Sequence, residues 1–287
     1  MARSRLPRPE LLLNVSVPAL AGRAAALPAA GVGLLRAEFL ALGAGRHPRA
    51  VLESDGEDAY VQLFQDGIEQ VAAAFHPRPV TYRACDLKSN EYRGLEGGEE
   101  FEPVEANPMI GARGAYRYLV RPREFALELR AVAGARAAGH DNVRLMLPFV
   151  RTVAELRELA ALVRPTGVEL WAMAEVPATA LLPREFAREV DGISIGSNDL
   201  VALVLGVDRD SPELARRYGS DDPAVTEALR RIIEGAHAEG RPVCICGDQP
   251  STEAGLVRTL VDLEIEAISV IPDAFEQTRA VLDELGV

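Results

Sequence analysis

The sequence predicts a single (β/α)8 TIM barrel, an α/β fold, on three observations. Short apolar runs rich in Val, Ile and Leu recur eight times along the chain. Segments with helical spacing alternate with them. Ionisable residues collect where the runs end, which in such barrels is the face that carries chemistry. A doubly wound open sheet is the alternative that shares the same alternation.

The first strand is Leu11–Val17. Arg3, Arg5 and Arg8 before it give the segment the look of a secretory leader, but Pro9, Glu10, Asn14 and Pro18 interrupt the apolar run. The second strand is Gly33–Phe39 and the third Val80–Asp86, with a long helix, Glu57–Phe75, between them. That helix places Tyr60, Phe64, Ile68 and Val71 on one face. Leu87–Arg121 follows as a long connection after strand three. It has no clear strand, yet it holds ordered-looking motifs, and connections of this length in a compact domain are usually functional or disordered. The helix Pro122–Ala138 leads to strand four, Val143–Phe149, and Val153–Val163 leads to strand five, Val168–Val176. Shorter helices follow strands one and five. Strand six is Gly192–Gly196. The next helix, Asp222–His237, starts with a carboxylate cap and a proline in its first turn and ends at Gly240. Strand seven, Val243–Gly247, the helix Thr252–Leu263, strand eight, Ala267–Ile271, and the helix Ala274–Leu285 complete the pattern. Near-continuous apolar strands suit a parallel sheet covered on both faces. No linker or low-complexity stretch divides the chain, so residues 1–287 read as one domain.

Composition bounds the function. The 287 residues are 48% hydrophobic and 26% charged but only 5% aromatic, so the core must be built from aliphatic side chains. A formal charge of −12 excludes a general affinity for nucleic acid or anionic membranes, which need a basic footprint. No stretch approaches the roughly 20 apolar residues of a membrane helix. Three cysteines, Cys85, Cys244 and Cys246, do not make a disulfide framework and fit a reducing cytoplasm.

Candidate site residues follow from the strand ends. Arg36 lies in strand two, Arg83 in strand three ahead of Asp86, Glu175 at the end of strand five, Asn198 and Asp199 just beyond strand six, and Cys246 at the end of strand seven. Each has an ordinary reading as well: an arginine as an ion-pair partner, a strand cysteine as a small buried hydrophobe, carboxylates beside Ser or Asn as loop caps. Cys244, deeper on the same face as Cys246, reads as core. His47, His76, His140 and His237 read as structural or solvated. Taken together, two carboxylates on adjacent strands can share a Mg²⁺, converging arginines suit phosphate or carboxylate, and a rim thiol can pass a proton to carbon. Such a site fits a small, doubly anionic, metal-chelating substrate.

Several motifs then occur in one order: Gly-Val-Gly-Leu-Leu-Arg-Ala-Glu-Phe, His-Pro-Arg-Ala, Asp-Leu-Lys-Ser-Asn-Glu-Tyr, Glu-Ala-Asn-Pro-Met-Ile-Gly-Ala-Arg-Gly, Pro-Phe-Val-Arg-Thr, Ser-Ile-Gly-Ser-Asn-Asp-Leu and Leu-Gly-Val-Asp-Arg-Asp-Ser. On these the chain, from about Leu11 to Val287, resembles the C-terminal phosphoenolpyruvate-binding barrel of phosphoenolpyruvate synthase (pyruvate, water dikinase). It is more distantly similar to the same barrel in pyruvate phosphate dikinase and in Enzyme I of the sugar phosphotransferase system. The resemblance implies that Arg36 and Arg83 grip the phosphoryl group as catalytic residues and that Arg113 and Arg209 add anion contacts. It implies Glu175 and Asp199 as ligands of Mg²⁺, with Mn²⁺ as a substitute, and Ser197 and Asn198 at the substrate phosphate or carboxylate. Cys246 takes the place of the acid/base that protonates the enolate carbon. A homodimer is expected by the same resemblance.

The chain departs from the family in two ways. The nucleotide-binding and phosphohistidine domains are expected to be absent, since no Gly-rich phosphate loop and no Gly-rich Thr/Ser-His setting occurs. The cysteine is followed by Gly-Asp-Gln-Pro-Ser-Thr-Glu instead of Gly-Gln-Gly-Pro-Ser-Asp-His, and an inward-pointing Asp248 would raise the thiol pKa. Three functions remain open: the barrel half of a split phosphotransferase served by a separate phosphohistidine/ATP-binding protein, a self-sufficient lyase, aldolase or mutase acting on a pyruvate or phosphoenolpyruvate enolate, and a non-catalytic phosphoenolpyruvate-binding regulatory module.

Overall fold

Eight strands appear in the computed structural model, which describes residues 8–208 and 210–287. They are β1 (Glu10–Val15), β2 (Val32–Arg36), β3 (Val80–Arg83), β4 (Val143–Leu147), β5 (Leu170–Ala174), β6 (Gly192–Gly196), β7 (Val243–Cys246) and β8 (Ala267–Val270). Each pairs in parallel with its neighbour in sequence, and β8 pairs back onto β1, so the sheet is a closed barrel and not a doubly wound open sheet.

The strand period of two divides the core. Leu13, Leu35, Tyr82, Leu145, Ile193, Ile245 and Ile268 face outward and pack with the helices. Leu12, Leu34, Met146, Trp171, Met173, Cys244 and Cys246 pack with one another inside the barrel. Cys244 is therefore core, as expected. The same alternation sets Arg36 above Leu34, Arg83 above Thr81 and Glu175 above Met173, at the C-terminal mouth.

The helices follow the expected pattern with local corrections. Glu57–Phe75 buries Tyr60, Phe64, Ile68 and Val71 and packs against Pro122–Ala137. Thr152 and Glu155 form a capping box at the start of Val153–Val163, and the Asp222 side chain accepts from the Ala224 N–H at the start of Pro223–Ala238. Strand two does not continue to Phe39: at Arg36 it leaves the barrel, and Ala37–Gly43, made of good helix formers, turns into a helix followed by a second, Pro48–Asp55. Strands three and four stop at Arg83 and Leu147, because the residues beyond them leave the sheet to build the mouth. The expected helix Thr252–Leu263 is broken at Glu253, which takes an extended conformation between Gln249–Thr252 and Ala254–Asp262. The polar run after β6 is the first turn of a helix, Ser197–Leu205.

The long connection after β3 is folded. It contains helices Ser89–Arg93, Gly98–Phe101 and Ala115–Val120 and a short 3-10 turn, Pro108–Ile110. Glu102 organises it from a buried position. Its carboxylate accepts from Arg117 (Nη1 at 2.7 Å), Arg121 (3.1 Å) and His47 (3.1 Å). Burial favours the neutral acid, but the hydrogen bonds and charge of Arg117, His47 and Arg121 outweigh it and hold the Glu102 carboxyl down at about 2. A depressed folded-state value means that the stabilisation is present above the ordinary value of 4.5 and is lost as pH falls toward 2. Glu102→Gln should therefore lower the unfolding free energy by about 3 kcal/mol at pH 7, as for other buried pairs that lose one partner. Urea denaturation checks this, and the gap to wild type should narrow as pH drops through that window.

Candidate active site

The strand ends and the loops beyond them enclose a cavity of about 200 Å³ at the mouth of the barrel. Arg36 and Arg83 come from β2 and β3, Glu175 from just past β5, and Cys246 from β7; Ser197, Asn198 and Asp199 come from the first turn of the helix after β6. Arg113 reaches in from the long connection. Eight of the nine residues expected at the site thus share one cavity; the ninth, Arg209, lies outside the described residues.

Three buried carboxylates meet there. Asp86, Glu175 and Asp199 each bring one oxygen to within 4.8 Å of the others. Arg113 binds two of them, with Nε and Nη2 at 3.1 and 2.6 Å from Asp86 and Nη2 at 3.0 Å from Asp199. Glu175 is positioned by the Phe149 N–H, which donates to Oε1 at 2.7 Å. Burial, then the charges of Asp199 and Asp86, push the Glu175 carboxyl well above the usual carboxylate range, against the pull of Arg83 and Arg113. Backbone packing keeps Glu175 in place: a Cβ on Gly196 would lie 2.6 Å from its Oε2. Carboxylate oxygens at this spacing suit a hard divalent cation, which takes oxygen ligands and relieves like-charge repulsion. The residues present therefore fit Mg²⁺ or Mn²⁺, and Asp86 joins the Glu175 and Asp199 pair expected from the sequence.

Beside this centre lie cationic side chains. Arg83 pairs with Glu38 at 3.0 Å, and Glu38 also accepts the Asp86 N–H at 2.7 Å. The buried Nε atoms of Arg36 and Arg83 have no hydrogen-bond partner among the described residues. Lys88, at the rim, sits 3.4 Å from Glu91 and 3.3 Å from Asp210. Two of the expected substrate contacts are engaged within the protein. The Asn198 side chain donates to Asp248 at 2.8 Å and accepts from its N–H at 3.0 Å. The Ser197 hydroxyl lies 2.9 Å from the Cys246 carbonyl and 2.6 Å from Gln249. Arg113, expected as a further anion contact, is paired here with Asp86 and Asp199.

Cys246 closes the cavity at the inner side. Burial is the main influence on its thiol and pushes it up to about 11; Ser194, Arg83 and Arg36 pull it down and Glu175 adds to the rise. The thiol is thus protonated at neutral pH. Asp248, which an inward orientation would have made a further cause, is exposed and turned toward Asn198. The sequence reading missed Glu38 and Lys88 as site residues and Asp86 as a third carboxylate. Their only signals were proximity to Arg36 in Arg-Ala-Glu and the charged Asp-Leu-Lys run.

Comparison with known proteins agrees with the motifs. Residues 5–287 match the family model described as PEP-utilising enzyme, PEP-binding domain. A probable phosphoenolpyruvate synthase of Staphylothermus marinus is 44% identical over 282 residues, covering 94% of this chain and 34% of that protein. Phosphoenolpyruvate synthase of Aeropyrum pernix is 43% identical over 283 residues, with coverage of 94% and 34%. The chain spans about a third of the length of these relatives. Among solved structures, the citrate lyase beta subunit of M. tuberculosis, complexed with oxaloacetate and magnesium, has a TM-score of 0.53 at 17% identity, covering 96% of this chain and 97% of that one. A citrate lyase of Burkholderia xenovorans LB400 has a TM-score of 0.55 at 18% identity, covering 98% and 79%. At that identity the likeness shows a shared barrel and nothing finer. No helix among the described residues is long and apolar enough to cross a membrane. By its motifs and its match across nearly the whole chain, this protein belongs to the PEP-binding domain family of the PEP-utilising enzymes.

Proposed function

We propose that this barrel binds phosphoenolpyruvate or pyruvate together with Mg²⁺ and serves as the enolate half of a split phosphotransferase. The observation that carries the reading is the convergence, in one small cavity, of three buried carboxylates, two arginines with unpartnered Nε atoms and a protonated thiol. Each group answers one need of a phosphorylated three-carbon acid. Arg36 and Arg83 present N–H donors to phosphoryl oxygens. Asp86, Glu175 and Asp199 would hold the cation, which supplies Lewis-acid neutralisation of charge on the substrate when bound. Lys88 adds positive charge at the rim.

The phosphoryl group leaves phosphoenolpyruvate for a histidine supplied by another domain, in our reading a separate subunit that also handles ATP. None of this chain's four histidines lines the cavity, so the phosphoryl acceptor in this reading comes from outside the barrel. The enolate left behind takes the Cys246 proton at its terminal carbon and becomes pyruvate. The thiolate that remains lies within the field of Arg83 and Arg36 and regains a proton from solvent. In the opposite direction the thiolate removes a methyl proton, and the enolate oxygen accepts the phosphoryl group. The free, buried state of all three cysteines suits a reducing cytoplasm.

Calorimetric titration with phosphoenolpyruvate tests the reading as a whole: binding is expected with Mg²⁺ or Mn²⁺ and is expected to vanish in EDTA. Binding that ignores the chelator would remove the cation from the site. Glu175→Gln and Asp199→Asn should each weaken Mn²⁺ by at least about tenfold, measured by electron paramagnetic resonance. A proton competes with the cation for Glu175, whose pKa is raised, so wild-type Mn²⁺ affinity should climb between about pH 6 and 8. Cys246→Ser should keep phosphoenolpyruvate affinity within about twofold and slow exchange of pyruvate methyl protons about 100-fold or more, the range of a lost acid/base. Exchange at the native rate, followed by proton NMR in D₂O, would return the thiol to a packing role.

A further inference from the structure

Phe149 holds a conformation that a phenylalanine avoids. Its φ is +45°, in the left-handed region where a Cβ crowds the backbone, and it is one of two non-glycine residues with positive φ among those described. Such strain persists only where the surroundings impose it, and it concentrates at functional sites. The residue is 2% exposed and sits just beyond β4, between the barrel and the long connection. The connection approaches closely because Gly114, itself at φ +58°, has no Cβ to strike the Phe149 side chain. The Ala115 N–H donates to the Pro148 carbonyl at 2.9 Å.

Both halves of Phe149 meet the carboxylate centre. Its N–H donates to Glu175 at 2.7 Å. Its ring has the Arg113 guanidinium carbon 4.1 Å from the centroid, and Arg113 in turn holds Asp86 and Asp199. A second guanidinium, that of Arg151, lies 4.7 Å from the same centroid and donates to the carbonyls of Arg113 (3.2 Å) and Gly111 (2.5 Å). A guanidinium against an aromatic face is attracted to the negative ring quadrupole, most strongly away from water. The ring thus fixes where Arg113 sits, while the twisted backbone aims the N–H at Glu175.

We infer that Phe149 is a positioning residue for the cation centre, setting Glu175 through its backbone and Asp86 and Asp199 through Arg113. This rests on reading the three carboxylates as cation ligands. Nothing but packing would be served by an aliphatic side chain at this position, so the ring is the feature to remove.

The test compares Phe149→Leu with Phe149→Tyr in the full chain. Phe149→Leu keeps the backbone N–H and most of the apolar volume and loses the π face; Phe149→Tyr keeps the face. In a metal-free crystal structure of the leucine variant, the Arg113 guanidinium is expected to withdraw from Asp86 and Asp199. Mn²⁺ alone, titrated by paramagnetic resonance, should bind it about tenfold more weakly than wild type, with the melting temperature within a few degrees. The tyrosine variant should match wild type in both readouts. Arg113 unmoved in the leucine variant, or tyrosine failing to restore Mn²⁺ affinity, would overturn the inference. If wild type itself takes no Mn²⁺, the cation reading fails, and the position of Arg113 still decides the role of the ring. Should the leucine variant not fold, Phe149→Met is read in the same way.

Discussion

Like charges repel, and taking them out of water strengthens the repulsion. Asp86, Glu175 and Asp199 are all buried and close together, so the mouth of this barrel is organised around negative charge that has to be compensated. Arg113 compensates part of it by bridging Asp86 and Asp199. Arg83 lies near Glu175 but is shared with Glu38. Burial, and after it the charge of Asp199 and Asp86 that remains uncompensated, raises the pKa of Glu175. A divalent cation is the species that would complete the balance, and the rest of the site, from the Phe149 backbone to the long connection, keeps the carboxylates where they meet.

The barrel makes this crowding available at little cost in fold. Strands with a period of two alternate between the helix layer and the interior. Whatever occupies the last inward position of a strand arrives at the mouth, above a buried cluster of Leu, Met, Trp and Cys. Polar chemistry can then change from strand to strand without disturbing the layer that stabilises the barrel. The long connection is the exception: its residues reach the site from a loop that Glu102 and its three cationic or imidazole partners, among other contacts, hold in a fixed shape.

Much of this was legible in the sequence, for identifiable reasons. All eight strands announced themselves through apolar runs, and Arg36, Arg83, Glu175 and Cys246 were found because strand ends are where a barrel places its chemistry. Asn198 and Asp199 came from the same rule, the motifs added Arg113 and Ser197, and the structure brings all four to the same cavity. What stayed hidden depends on three-dimensional pairing. Glu38 was expected inside a strand, and it serves the site because the chain turns into a helix after Arg36. An arginine in a loop gives no sign of whether its charge is available to a ligand, and Arg113 is committed to two carboxylates. The twist at Phe149 has no signature in the letter F, and Asp248 turns outward to an asparagine 50 positions earlier.

The Ser197 hydroxyl spans from the strand-six side of the mouth to the main-chain carbonyl of Cys246. The sulfur therefore stands on a backbone pinned by its neighbour, with Met173 and Leu34 also lining the pocket. In the proposed reaction the carbon that exchanges protons faces this fixed wall. On the proposed function, an acid carrying an alkyl branch where pyruvate has only hydrogens would have to move this tethered strand end to fit.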